Sequence, residues 1–69
     1  MEEHVYKQIE ITGTSKEGIE DAVQKAVARA SQTVAQLRWF EVVETRGVVE
    51  DGKVALWQVT IKIGFALKE

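Results

Sequence analysis

The chain has 69 residues, of which 45% are hydrophobic and 29% charged, with no cysteine, no proline and a formal net charge of −2. This length fits one domain (1–69), and because so small a chain buries only about 60% of its unfolded surface, we expect it to self-associate. Its nine basic residues are scattered among eleven acidic ones, which argues against a nucleic-acid partner. No apolar run approaches the roughly 20 residues that cross a bilayer, and the N-terminus does not look like a signal peptide, so we predict a cytoplasmic protein without a membrane partner.

The first predicted elements are a strand and a helix. Alternating apolar side chains predict a strand from Val5 to Thr12. Thr14 and Glu17 fit a capping box, so we expect Thr14 to cap the helix that follows, and capping explains this turn better than an anion site does. Apolar residues at helical spacing then form one stripe, made of Ile19, Val23, Ala26, Val27, Ala30, Val34 and Leu37.

A hairpin is predicted in the second half of the chain. The pair Asp51-Gly52 favours a tight turn between two strands, roughly Trp39 to Glu50 and Lys53 to Leu67. The order is then β-α-β-β, an α+β fold with a three-stranded antiparallel sheet and one helix. With a two-residue turn, opposed residues have numbers that sum to 103. In that register we expect one apolar face under the helix, with Trp57, Val59, Ile61, Ile63 and Phe65 opposite Arg46, Glu44, Val42, Phe40 and Arg38.

The other face of the hairpin is predicted to be uncovered. About 14 strand residues extend roughly 45 Å, whereas a 20-residue helix extends only about 30 Å. We therefore expect copies of the chain to meet on the exposed sheet surface in a symmetric oligomer. The same register places on this face Trp39 opposite Gly64, Glu41 opposite Lys62, Val43 opposite Thr60 and Thr45 opposite Gln58.

The sequence shows no pattern typical of an enzyme. It has no cysteine nucleophile, and its single histidine, His4, is near the N-terminus, where we expect a solvated side chain. Glu41 and Lys62 are interpreted as an exposed cross-strand pair, and the carboxylates of the hairpin turn are ordinary turn residues. We predict a protein without catalytic activity.

Trp39 has two interpretations that the residues alone leave open. Its indole packs in a subunit interface, or it stacks on a planar ligand above the space left by Gly64. In the second case the polar groups of Thr45, Gln58 and Lys62 are available to bind the edge of that ligand.

The whole chain resembles the dodecins, a family of small flavin-binding proteins. The similarity lies in the combination of short segments, and no one of them is specific alone. These segments are Val5-Tyr6-Lys7, Ile11-Thr12-Gly13-Thr14-Ser15, Ala28-Arg29-Ala30, Trp39-Phe40-Glu41-Val42, Arg46-Gly47, Gln58-Val59 and Gly64-Phe65.

The resemblance implies a sheet wrapped around the helix and a hollow homododecamer. It also implies that flavins, FMN or riboflavin, bind as stacked pairs at two-fold axes, each against a tryptophan, for storage and protection from their photochemistry. Trp39 matches that tryptophan and Gln58 matches a glutamine that hydrogen-bonds the ring. Arg46 matches a basic residue expected near the phosphate-bearing tail. Ala66 stands where many relatives have arginine, which puts a preference for FMN in doubt.

Two functions therefore follow as hypotheses. The first is a flavin-storage oligomer that uses Trp39, Gln58, Arg46 and Thr45. The second is a structural or interaction oligomer of the same architecture, with Trp39 buried between subunits and no small ligand.

Overall fold

The structure, a computed structural model, describes residues 3–68, so both ends of the predicted domain lie outside the described residues. Its elements are β1 (Tyr6–Ser15), α1 (Ile19–Ser31), β2 (Leu37–Glu50) and β3 (Lys53–Ala66). The three strands form one antiparallel sheet in the order β1-β3-β2, with β3 in the centre. The predicted α+β class and β-α-β-β order are confirmed.

The start of the helix differs from the prediction. Strand β1 continues through Thr14 to Ser15, where Thr14 pairs with Gln58 of β3, so Thr14 is not the cap. The N-cap is Gly18, without a side-chain cap bond, and Ser15, 2% exposed, holds the turn before the helix because its Oγ accepts the N–H groups of Glu17 at 2.8 Å and Gly18 at 3.3 Å. Ser15, one residue after the predicted cap Thr14, thus accepts the backbone N–H groups that immediately precede α1.

The end of the helix also differs. α1 stops at Ser31, because the N–H groups of both Thr33 and Val34 turn back to the carbonyl oxygen of Ala30. Val34 and Leu37 therefore lie outside the helix, although both remain half-buried as their apolar character requires. Within residues 3–68 there is no helix long and apolar enough to cross a membrane.

The core is a layer of small helix residues on branched strand residues. Gly13 of β1 allows the close approach, since a Cβ there would collide with the carbonyl oxygen of Ala22. Ala22, which the predicted stripe missed, is completely buried, whereas Ile19 at the start of the stripe is 40% exposed. Small side chains thus let the helix lie directly on the sheet. The buried layer consists of Ala22, Ala26 and Ala30 against Val59, Ile61 and Ile63.

The helix packs over β1 and β3 and leaves much of β2 uncovered. Phe40 and Val42 pair with Ile63 and Ile61 on the helix side of the sheet, as predicted, but the helix leaves them 49% and 46% exposed. α1 has 13 residues and extends about 20 Å, whereas the molecule is 53 Å long. Between α1 and β2 an open groove of about 410 Å³ remains, lined by Ile19, Glu20, Val23, Gln24, Phe40 and Val42.

The hairpin turn is as predicted, but the register is only partly so. Asp51 and Gly52 have φ of 53° and 74°, the two positive values of a type I′ turn, and Glu50 pairs with Lys53. Three irregularities then shift the register, each by one extra residue: Ala55 on β3, and Val43 and Arg38 on β2. The sum of 103 is therefore wrong between Ala55 and Val43, where the pairs sum to 104, and again beyond Arg38, where Leu37 pairs with Phe65. Such bulges bend the strands and increase their twist.

Candidate functional site

Trp39 lies on the sheet face that the helix does not cover. It pairs with Gly64, as predicted, and a Cβ on Gly64 would collide with three atoms of the indole, Cε2, Cζ2 and Cη2. The ring therefore lies on bare backbone, an arrangement that only glycine permits at this position. The side chain is still 41% exposed, so part of the indole is available to a binding partner.

Tyr6 of β1 supports Trp39 of β2 across the central strand β3. The two ring centroids are 5.0 Å apart with planes inclined at 68°, the edge-to-face geometry that aromatic pairs prefer. Tyr6 pairs with Ala66, the position where related chains are expected to carry arginine. No local pattern in the sequence predicts this contact, because it depends on the pairing of β1 with β3.

Arg46 and Gln58 form the second cluster on the same face. They are cross-strand partners, and Nε of Arg46 donates a hydrogen bond of 2.7 Å to Oε1 of Gln58. Nη1 of Arg46 lies 3.9 Å from Oε1 of Glu44, and both charged side chains are well exposed, so this ion pair contributes little to stability.

Thr45 is not where the sequence placed it. The extra residue Ala55 on β3 shifts the register counted from the turn and places Thr45 opposite Val59, whose side chain is fully buried beneath the helix. Cross-strand partners share a face of a sheet, so Thr45 belongs to the face opposite that of Trp39 and Gln58. Its role as a ligand contact stays a prediction that this placement does not favour.

The two clusters are at different ends of one sheet face. Gly64, under Trp39, and Gln58 are six residues apart on β3, which corresponds to roughly 20 Å. A planar ring stacked on Trp39 is thus far from Gln58 of the same chain. If one ligand contacts both side chains, they must come from two copies.

The surface between the clusters is polar. Thr12 Oγ1 and Thr60 Oγ1 share a hydrogen bond of 2.7 Å across β1 and β3. Lys62 is flanked in the register by Glu10 on β1 and Glu41 on β2, so the predicted opposition of Glu41 and Lys62 is confirmed. Nothing in this surface resembles a nucleophile with an adjacent base.

Asp21 lies beside two hydrogen-bonding partners at the start of α1. The hydrogen bond from Ser15 Oγ, 2.6 Å long, and then the nearby Lys25 ammonium lower the pKa of the Asp21 carboxyl. Asp21 lies in the first turn of α1, where its negative charge also interacts favourably with the positive end of the helix dipole. We assign it a structural role. No group of three potential metal-ligating side chains occurs among the described residues.

Comparisons with known proteins agree on one family. The family model described as Dodecin matches residues 5–68. The dodecin of Thermus thermophilus is 49% identical over 65 residues, which cover 94% of each chain. The solved structure of dodecin from Streptomyces coelicolor has a TM-score of 0.94 and 54% identity, covering 100% of this chain and 99% of that one. The protein named calcium dodecin from Mycobacterium tuberculosis is 31% identical over 64 residues, 93% of this chain and 90% of that protein.

Proposed function

This chain belongs to the dodecin family, and we propose that it is a non-catalytic flavin-binding protein that stores riboflavin or FMN in a homo-oligomer. In this proposal Trp39 stacks on the isoalloxazine ring and Gln58 hydrogen-bonds its polar edge. The assembly is the hollow dodecamer that the family resemblance implies.

The observation that carries the proposal is the exposed indole of Trp39 lying on the backbone of Gly64. An indole held flat on a sheet is rigid, so binding a second planar ring costs little side-chain entropy. Oxidised isoalloxazine is electron-poor and indole is electron-rich, so the two rings attract each other when stacked. Electron transfer between them would quench flavin fluorescence and suppress its photochemistry.

The separation of Trp39 from Gln58 supports an assembled site. Because one chain holds these side chains at opposite ends of its exposed face, we infer that Gln58 of a second copy completes the site at each Trp39. The exposed apolar side chains of β2 favour such association, since burial of this surface supplies the hydrophobic free energy that a small core lacks. These side chains are Phe40, Val42, Val43, Val48 and Val49.

A storage role needs no catalytic group. The polar residues of the exposed face offer hydrogen bonds and charges but no acid or base directed at a reacting atom. We therefore propose that the flavin is bound, quenched and released without turnover.

The test is a fluorescence titration of the purified protein with riboflavin and with FMN, combined with sedimentation analysis. We expect flavin fluorescence to be quenched strongly by a large particle. Trp39→Ala should abolish the quenching while the particle survives. Trp57→Phe is the control, because it removes the other indole, which lies on the opposite sheet face, and should leave the quenching intact. If Trp39→Ala quenches flavin like the parent protein, the ligand-free structural oligomer is the better description.

A further inference from the structure

The cross-strand pair of Arg46 and Gln58 has a consequence for ligand recognition. We propose that Arg46 is a positioning residue that fixes the orientation of the Gln58 carboxamide, so that the amide NH₂ group is presented to the ligand. The inference rests on the proposed flavin-binding function and assigns Arg46 a role different from holding a phosphate.

The chemistry of the two groups determines the orientation. A guanidinium carries only hydrogen-bond donors, so the group that Gln58 turns towards Arg46 must be its amide oxygen. The bond from Nε of Arg46 to Oε1 of Gln58 is 2.7 Å, a short charge-assisted contact. The amide nitrogen then points away from the guanidinium as a donor. Of the ligand's groups, a ring carbonyl is the acceptor that this donor selects.

The surroundings of Arg46 argue against a main role in phosphate binding. Nε is committed to Gln58, and Nη1 faces the carboxylate of Glu44 at 3.9 Å. Glu44 also places a negative charge beside any phosphate that approached the guanidinium. We therefore expect Arg46 to contribute to the binding of riboflavin, which has no phosphate, as much as to the binding of FMN.

The fold places this pair by means of a bulge. Without the extra residue Ala55 on β3, counting from the hairpin turn would put Thr45 opposite Gln58, and Arg46 would project to the helix side of the sheet. With the bulge, the arginine and the glutamine become direct partners on the face that carries Trp39. A one-residue irregularity thus changes which side chain controls Gln58.

The experiment is a double-mutant cycle with two ligands. Arg46→Lys keeps the positive charge but has a methylene where Nε donates, and it is combined with Gln58→Ala. Riboflavin and FMN are titrated into the parent oligomer, both single variants and the double variant. We expect Arg46→Lys to weaken both flavins about three- to tenfold. In the Gln58→Ala background the same change should alter riboflavin affinity less than about twofold.

A spectroscopic measurement provides a second readout. The infrared carbonyl stretch of bound riboflavin should move to higher frequency in Arg46→Lys, because a ring carbonyl loses part of its hydrogen bond. Glu44→Gln is the control, since it removes the ion pair and leaves the Arg46–Gln58 bond. Sedimentation and circular dichroism establish that each variant is assembled and folded.

The outcomes separate this inference from the proposed function. A parent protein that binds neither flavin overturns both. The inference is wrong if the parent binds flavin but Arg46→Lys lowers the affinity for FMN alone, since Arg46 would then bind the phosphate. It is also wrong if Arg46→Lys lowers flavin affinity equally in the Gln58→Ala background, since Arg46 would then have a structural role. An unchanged carbonyl stretch in Arg46→Lys contradicts it as well.

Discussion

Trp39 and Gly64 face each other across β2 and β3, with the indole resting on glycine backbone. This pairing was predicted by counting from the hairpin turn, although the register changes in between. The extra residue Ala55 on β3 shifts it by one, and the extra residue Val43 on β2 shifts it back. The central feature of the proposed site thus depends on two irregularities that compensate each other.

Gly64→Ala should disrupt the site without removing any functional group. The added methyl would collide with the indole of Trp39, and such overpacking costs about 1–3 kcal/mol when the neighbours cannot relax. We expect Trp39 to turn away and flavin quenching to fall sharply in a titration. Gly18→Ala is the matched control, because a Cβ on Gly18 has no neighbour within 4 Å. Undiminished quenching in Gly64→Ala would show that the indole need not lie on the sheet.

Tyr6→Ala should loosen Trp39 while leaving it in place. The edge-to-face contact at 5.0 Å is worth about 0.5–1.5 kcal/mol, and its loss frees the indole to adopt other rotamers. We expect flavin affinity to fall by a few-fold and the residual flavin fluorescence of the complex to rise. Tyr6→Phe retains the ring and should behave like the parent protein in the same titration. Equal losses in both variants would instead point to the hydroxyl group.

Ala66→Arg should shift the ligand preference towards FMN. Ala66 is 5% exposed, pairs with Tyr6, and lies on the sheet face that carries Trp39. A cation at this end of the sheet can pair with a flavin phosphate, so we expect the ratio of FMN to riboflavin affinity to rise about five- to tenfold. Ala66→Gln, of similar bulk but uncharged, should leave the ratio unchanged. Calorimetric titration with both ligands provides the comparison at one fixed salt concentration.

Phe40→Glu should weaken the oligomer. Phe40 is 49% exposed in the single chain and lines the groove between α1 and β2, where we expect another copy to bind. A carboxylate buried in an apolar interface without a partner is costly, so sedimentation should show smaller species. Gln32→Glu adds the same charge at the exposed C-cap of α1 and serves as the control. A particle of unchanged size in Phe40→Glu would place the subunit contacts elsewhere.

Asp21→Asn should change how stability depends on pH. Because folding lowers the pKa of Asp21 below its usual value of 3.8, the carboxylate stabilises the fold at higher pH. This stabilisation is lost as the pH falls through the folded-state pKa. The free energy of unfolding of the parent should exceed that of Asp21→Asn near neutral pH, and the difference should narrow on acidification towards about pH 3. Urea unfolding at one protein concentration measures the free energy of unfolding of both proteins at each pH. If the difference between them does not change with pH, the stabilising role of the Asp21 carboxylate is contradicted.

Much of the fold was predictable because its signals are local. Asp51-Gly52 specifies a turn with two positive φ values, and the change of hydrophobic period from helical to alternating separates α1 from the hairpin. These features determined the order of the elements, whereas the pairing of Trp39 with Gly64 came out as counted because the bulges at Ala55 and Val43 offset each other. The exposed sheet face also followed from the sequence, because a helix rises less than half as far per residue as a strand.

The remaining features depend on contacts between segments distant in the chain. Strand β1 extends to Ser15 because β3 offers partners there, and Ser15 rather than Thr14 then meets the helix start. The bulge at Ala55 that brings Arg46 to Gln58 has no local signature, because a long hairpin adopts bulges to twist and bend with the sheet. The sequence thus determined the hairpin and the exposed indole, whereas tertiary structure decided which polar side chain controls Gln58. Turn and period are encoded within a few residues, but register along two 14-residue strands is settled only by the packing of the whole sheet.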